Sequence, residues 1–473
     1  MHPRSAPKSV HWKAISHLSP SCQWNAHANR TSGRRRKERI IFTRSGEWRS
    51  GCLDHFRSRP QQWCGAPELC AAQRISHARF LPALLSGGPV LQPLVVGLGR
   101  SGSGLHLHTL GGLARRTAAT GHPLVALPAV GCDPRADSLR LLGAPGEVTA
   151  VTTLEQALRY VDPATAVVHV CTPPRLRYDL LAELAGHGFR RMIVEKPLAA
   201  SMDELDALIR LRQDAGLDLV TVTHWITSRL AGRLRRLVSG GLLGSLRRII
   251  VDQHKPRFLR SLATDGHPSA LDVEIPHSLA LALDLAGPAE LRAARCWDLR
   301  CGDRGLPLLG GAHVELEHRS GVVTLLRSDL GAPLRQRSVV CEFDGGTATA
   351  HFPLSEDDDH AQLVVAPFDR GTAAPPTGVL DADGVPGIGR HTLDADGVPG
   401  IGHDTLDTDG MPGIGHHVFR DDALTAFLDD AYRGFSSGAA GAGNFPLACA
   451  TTRLLCAARE HCAVTPHAGA GSR

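Results

Sequence analysis

The reading of this chain turns on residues 95–106, VVGLGRSGSGLH. An apolar run beginning at Pro93 ends in two valines. Gly97, Gly99 and Gly102 then follow in G-x-G-x-x-G order and open a helical pattern, LHLHTLGGLARR. A strand that turns in this way into a helix gathers backbone N–H groups at the positive end of the helix dipole, where a pyrophosphate is favoured. Glycines are needed because the backbone must come close to the ligand. The residues of the turn, Gly97, Gly99, Arg100, Ser101 and Gly102, are therefore expected to bind a dinucleotide.

Outward from this turn, strand and helix patterns alternate. PLVALPAVGCD reads as a second strand, AVVHVCTPP as another with the helix RYDLLAELAGHG behind it, and RRMIVEKP as the next. Continuous apolar strands between helices predict a parallel, doubly wound sheet. SMDELDALIRLRQDAG follows as an amphipathic helix, with Ser201 at its N-cap and Glu204 at the capping-box position. The second strand ends at Asp133, where a carboxylate can accept from the ribose hydroxyls and so favours NAD. Arg135, two residues on, could instead accommodate the extra phosphate of NADP.

Beyond residue 220 the texture changes. LRRIIVDQHK, LRAARCWDL, AHVELEH, GVVTLLRSD, SVVCEFDGGTATAHF and AQLVVAP read as strands joined by turns, IPHSLALALDLAG as a buried helix, and FPLACATTRLLCAARE as a last helix. The expected fold class is α/β: an N-terminal Rossmann doubly wound parallel sheet, then a C-terminal α+β domain on a mostly antiparallel open sheet. The expected units are a basic, disordered extension over 1–88, the Rossmann domain over 89–220, a substrate and oligomerisation domain over 221–460, and a tail over 461–473. The second domain is interrupted at 375–417 by a flexible loop holding a tandem 13-residue repeat, LDADGVPGIGRHT, LDADGVPGIGHDT, LDTDGMPGIGHH. Its D-x-D-G core lacks the third carboxylate and the twelfth-position Glu of a calcium loop, so no metal is expected.

Composition sets the limits. Of 473 residues 42% are hydrophobic and 21% charged, which is globular. Residues 1–80 hold 15 basic and 4 acidic residues and four of the six tryptophans, without a helical or strand period. The chain's net charge of +5 is therefore +11 in that segment and −6 in the remainder. A nucleic-acid partner is not expected from that segment alone. The twelve cysteines show no C-x-x-C pair, which suits free thiols in a cytoplasmic protein, and no apolar run is long enough for a membrane span.

Only five of the 52 Lys and Arg residues are lysines: Lys8, Lys13, Lys37, Lys196 and Lys255. Lys196, in VEKPL, follows a predicted parallel strand, and ligands sit beyond the carboxyl ends of such strands. An ammonium there can polarise a substrate oxygen, and unlike Arg it can also exchange a proton.

VVGLGRSGSG, TPP after the fourth strand, VEKPLA and PHSLALALDLAG together resemble the Gfo/Idh/MocA oxidoreductase family over roughly residues 93–460. The resemblance implies hydride transfer between NAD, or NADP, and a hydroxyl-bearing carbon of a sugar, aminosugar or cyclitol. It implies a homodimer or homotetramer. Thr172, Pro173, Glu195 and Lys196 join the cofactor-binding set. Lys196 orients the reacting oxygen and His277 is the acid/base, a role that suits an imidazole near its pKa. The family's Asp four residues before that histidine is Val273 here; Asp272 and Glu274 flank it and either could serve as the partner carboxylate, with Asp272 taken as the catalytic one. His224 and Lys255 are expected at the substrate, with Arg175 and Arg177 near the entrance. The rival reading is a non-catalytic sensor of the same fold. The missing aspartate favours it; retention of Lys196 and His277 opposes it.

Overall fold

The computed structural model describes residues 38–42, 48–52, 89–135, 137, 146–263, 267–355, 359–368, 413–438 and 444–464. Most of the basic segment, most of the repeat loop and the end of the tail lie outside the described residues. Within the segment read as aperiodic, β1 (Glu38–Phe42) and β2 (Trp48–Cys52) pair antiparallel.

The first domain is a six-stranded, wholly parallel sheet of β3 (Gln92–Val96), β4 (Ala129–Cys132), β5 (Val148–Val151), β6 (Ala166–Val170), β7 (Arg191–Val194) and β8 (Asp218–Thr221), in the order β5-β4-β3-β6-β7-β8. Helices α1 (His108–Ala119), α2 (Leu154–Ala157), α3 (Arg177–Gly186) and α4 (Met202–Asp214) connect it. The expected second strand is split: Val125 bridges Leu91 alone, and Pro128, which has no N–H to donate, separates it from β4. At α4, the Ser201 hydroxyl accepts from Glu204 N at 3.2 Å, as its N-cap position predicts. The Glu204 carboxylate accepts from Ala200 N at 2.9 Å, one residue before the cap.

Alternate strand residues cover the two faces. Leu94, Val96, Val168, Val170 and Met192 pack with Leu181 and Leu184 of α3 and Leu205 and Leu208 of α4. Val95, Val167, Ile193 and Val220 face α1 on the other side.

The second domain opens with α5 (His224–Thr227) and α6 (Arg229–Gly240). Its sheet comprises β9 (Leu246–His254), β10 (Ala289–Cys301), β11 (Arg304–His318), β12 (Val323–Asp329), β13 (Gln336–Phe343), β14 (Gly346–His351), β15 (His360–Pro367) and β16 (Gly415–Arg420), ordered β10-β11-β12-β9-β13-β14-β15-β16. The β9–β12 pair is parallel and every other pair antiparallel. The segment SVVCEFDGGTATAHF is thus a hairpin, and the third repeat copy ends inside a strand. Between β9 and β10 lie α7 (Phe258–Ala263) and α8 (Ile275–Ala286), the expected buried helix, whose apolar residues pack on the sheet's inner face. The chain closes with α9 (Ala423–Ser437) and α10 (Asn444–Val464). Helix α9 returns to the first domain, where Phe427, Leu428, Tyr432 and Phe435 fill the core beside α1. Cys132, Cys171, Cys296, Cys341, Cys449, Cys456 and Cys462 are free thiols.

Candidate active site

The glycines of the turn divide their work. Gly97 has φ +92°, and a Cβ there would sit 3.0 Å from the Cys171 carbonyl carbon. A Cβ on Gly102 would lie 2.0 Å from the Gly97 oxygen. These two allow the turn to close on itself. Gly99 has nothing within 4 Å of such a Cβ. That side of the turn is open, and the turn leads into a widened helical segment, Arg100–Leu107, that continues as α1. Arg100 is exposed there.

Asp133 stands beside the turn. It accepts from Leu98 N at 2.8 Å and binds Arg135 through backbone N, Nε and Nη2 at 2.9, 3.0 and 2.9 Å. Burial pushes the carboxyl up, but the bonds from Arg135 and Leu98 outweigh it and hold it below the ordinary range. Both expected residues therefore stand beside the glycine turn, already paired with each other. Thr172 is buried nearby with no partner for its hydroxyl, and Pro173 follows it on the surface.

Glu195 links the turn to the interior. Ser101 Oγ donates to it, and His106 Nε2 lies 3.3 Å away. His106 Nδ1 faces His169 Nδ1 at 2.8 Å, and His169 Nε2 lies 2.9 Å from the Tyr432 hydroxyl. Both histidines and Tyr432 are fully buried. Burial disfavours charge on His106, yet Cys171 and Glu195 overcome it and raise its pKa to about 10. Burial, with the His106 charge next, drives His169 well down. The sequence reading did not single out this chain; a histidine within the apolar strand AVVHV was its signal.

Lys196 emerges from β7 toward the second domain, and its peptide to Pro197 is cis. Its Nζ donates to Val273 O at 2.7 Å, and burial lowers its pKa. Arg177 is only 2% exposed and does not line the entrance. Its Nε and Nη2 donate to Thr172 O at 3.2 and 3.1 Å, and Nη2 reaches Lys196 O at 3.5 Å, tying together the loops after β6 and β7. Arg175 is exposed.

His277 sits in the first turn of α8, one helical turn past Val273. Its ring stacks on Trp225 at 5.8 Å between centroids, Trp225 stacks on Phe352 at 4.2 Å, and His224 meets His277 edge-on at 4.6 Å. Nδ1 of both histidines is buried without a partner. Burial, then the Lys196 charge, pushes His277 well below the usual histidine value, and burial takes His224 down to about 4. Both rings are neutral at pH 7.

The carboxylates depart from the expected arrangement. Asp272 is bonded by Arg459 Nη2 and by Ser269 Oγ at 2.8 Å, so it ties α10 to the turn before α8 instead of serving His277. Glu274 takes the place at the site. Lys255 Nζ donates to it, as does Gln253 Nε2 at 2.5 Å, and Ser278 Oγ donates to Gln253 Oε1 at 2.5 Å. Burial would raise Glu274, but Lys255 and Lys196 bring it down to about 2. Burial takes Lys255 down to about 8 despite the pairing. Gln253 and Trp225 were not among the expected site residues, whereas Glu274 was one of the two carboxylates considered as the partner. A polar residue continuing the inward row Ile249, Val251 was the available signal for Gln253. Among the described residues no group of three or more metal-ligating side chains gathers, and no helix is long and apolar enough to cross a membrane.

Residues 93–224 match the model of an oxidoreductase family with an NAD-binding Rossmann fold. No curated protein matches the sequence. Among solved structures, a 3-ketoreductase from Actinomadura kijaniata, KijD10, in complex with NADP and TDP-benzene, superposes with TM-score 0.59 at 14% identity. The match covers 79% of this chain and 98% of that one. An Agrobacterium radiobacter oxidoreductase in complex with NAD+, L-tartaric acid and magnesium gives TM-score 0.54 at 14% identity, over 80% and 97%. The open glycine turn thus lies in a segment that matches the NAD-binding Rossmann fold of an oxidoreductase family, and the described fold as a whole is shared with NAD- and NADP-bound oxidoreductases.

Proposed function

We propose that this enzyme moves a hydride between NAD and a hydroxyl-bearing carbon of a sugar, aminosugar or cyclitol, with NADP as the alternative cofactor. The observation that carries the reading is the Lys196 Nζ to Val273 O bond. It holds an ammonium from the cofactor domain against the turn that presents His277. Gly97, Gly99, Arg100, Ser101, Gly102, Asp133, Arg135, Thr172, Pro173 and Glu195 would hold the dinucleotide, and the space beside Gly99 suits its diphosphate. When bound, the nicotinamide supplies the hydride acceptor or donor.

The chain's own residues handle the oxygen and the proton. Lys196 leaves Val273 O to bond the substrate hydroxyl oxygen and stabilises the charge that develops on it. His277, neutral and with an unpartnered Nδ1, takes the hydroxyl proton as the carbon loses hydride, and returns it in reduction. The Trp225 stack fixes its plane. Glu274 balances the two lysines. The sugar class follows the family resemblance, and the fold shared with a 3-ketoreductase supports it. The same resemblance supports a homodimer or homotetramer, which light scattering decides, and a cytoplasmic location.

The test is a polyol panel with NAD+ and NADP+ on wild type, Lys196→Ala and His277→Gln. Both variants should bind cofactor as wild type does and lose about two to four orders of magnitude in kcat. A wild-type protein that binds NAD+ and turns over no polyol in either direction, or a Lys196→Ala variant with full turnover, overturns the reading.

A further inference from the structure

The inner face of the second sheet changes character toward the site. Along β9 the inward row runs Ile249 and Val251, fully buried, then Gln253. Past the strand's end the pairing goes on, because Lys255 N donates to Asp329 O at 2.9 Å and Arg257 N to Leu330 O at 3.1 Å. Lys255 and Gln253 both bond Glu274, and the Glu274 charge acts on Arg257 as well, so Lys255 and Arg257 gather on the side that Gln253 occupies. Arg337 of β13 is the register partner of Gln253, and opposed residues share a face. Three cations thus form one patch at the N-terminal end of α8, beside Lys196 and His277.

One carboxylate, Glu274, acts on all three, and Lys255 and Gln253 already engage it. Arg337 Nη1 donates to Pro353 O at 2.8 Å. Arg257 is 8% exposed and its Nε has no partner; Ser328 on neighbouring β12, also buried, has none for its hydroxyl. A buried guanidinium with an unmade bond is costly unless a ligand completes it. Lys196 also faces Glu195 and Asp272, but Lys255, Arg257 and Arg337 have Glu274 in common, three cations to one carboxylate, so the missing partner is an anion. The guanidinium fork suits the paired oxygens of a carboxylate or phosphate.

We propose that the substrate carries an oxyanionic group, carboxylate or phosphate, near its reacting hydroxyl, and that Lys255, Arg257 and Arg337 bind that group. This rests on the oxidoreductase reading for its place in a substrate site. It goes further by naming the substrate as a sugar acid or sugar phosphate.

The experiment uses the full-length protein, with and without NAD+, titrated calorimetrically with inorganic phosphate and with acetate, beside turnover of a neutral hexose, a hexonate and a hexose phosphate. One anion should bind wild type and bind Arg257→Gln and Arg337→Gln at least about tenfold more weakly, with Arg257→Lys intermediate. Turnover should favour the hexonate if acetate is the tighter ligand and the hexose phosphate if phosphate is. Circular dichroism checks that each variant folds, and the second arginine serves should Arg257→Gln fail. The proposal falls if neither anion binds wild type while NAD+ does, or if both arginine variants bind anions as wild type does. Anion binding that depends on Arg257 in a protein that does not bind NAD+ would overturn the oxidoreductase reading and leave the anion site standing.

Discussion

The Lys196 ammonium donates to the backbone carbonyl of Val273 at 2.7 Å, while the Val273 side chain, 3% exposed, packs into the core of the second domain. The family resemblance leads one to expect an aspartate at this position. Here the carbonyl serves the lysine, and the side chain has become part of the core. Val273→Asp should therefore fail to restore a Lys–Asp–His trio. It should cost about 3 kcal/mol or more in denaturant unfolding, because it buries an unpaired carboxylate. A variant with unchanged stability and higher kcat would contradict this.

Asp272 is buried and pairs with the half-buried Arg459. Removing one partner of a fully buried pair typically costs about 3–5 kcal/mol, and less where the remaining charge can reach solvent, as Arg459 can. Asp272→Ala should lower the unfolding midpoint, yet keep kcat per folded molecule and the affinity for NAD+. Loss of kcat at unchanged stability would instead place Asp272 in proton transfer.

The two inner glycines and Gly99 should respond differently to substitution. Gly102→Ala puts a methyl on the Gly97 oxygen and should destabilise the domain outright. Gly99→Val meets no protein atom within 4 Å of its Cβ, so the melting temperature should hold while NAD+ affinity falls at least about tenfold. Equal loss of stability in both would mean that Gly99 faces protein, not ligand.

The Glu274 and Lys255 pair gives two pH signatures. Glu274 in the fold titrates near 2, below its ordinary 4.5, so its stabilising effect is complete above about 4.5 and disappears as pH falls through 2. Acid unfolding should shift to lower pH-sensitivity in Glu274→Gln. Lys255 titrates near 8, below its ordinary 10.5, so between those values the unfolded chain binds more protons and this group makes stability rise with pH. KM for an anionic substrate should climb above about pH 8 as that cation is lost. A flat KM from pH 7 to 9.5 would remove Lys255 from the substrate site.

Local patterns carried much of the fold. The strand and glycine turn, the strand before Lys196, the Ser201 cap and the buried helix from Ile275 were all readable, because each depends on residues near one another in sequence. What escaped depended on distance along the chain. Tyr432 meets His169 across 263 residues, and Arg459 meets Asp272 across 187. Nothing in the neighbourhood of EIPH indicates that Arg459 will claim one flanking carboxylate and leave Glu274 for the lysines.

The amino-acid order by itself determined that a glycine turn joins strand to helix, that Lys196 follows a strand and that His277 lies in a buried helix, since backbone periodicity and glycine sterics are local. Only the tertiary structure decided that Glu274 pairs with Lys255, that Lys196 bonds the Val273 carbonyl, and that three cations gather around one carboxylate. Those outcomes depend on strand register and on which charges are buried together, and both are set by contacts between segments that lie far apart in the chain.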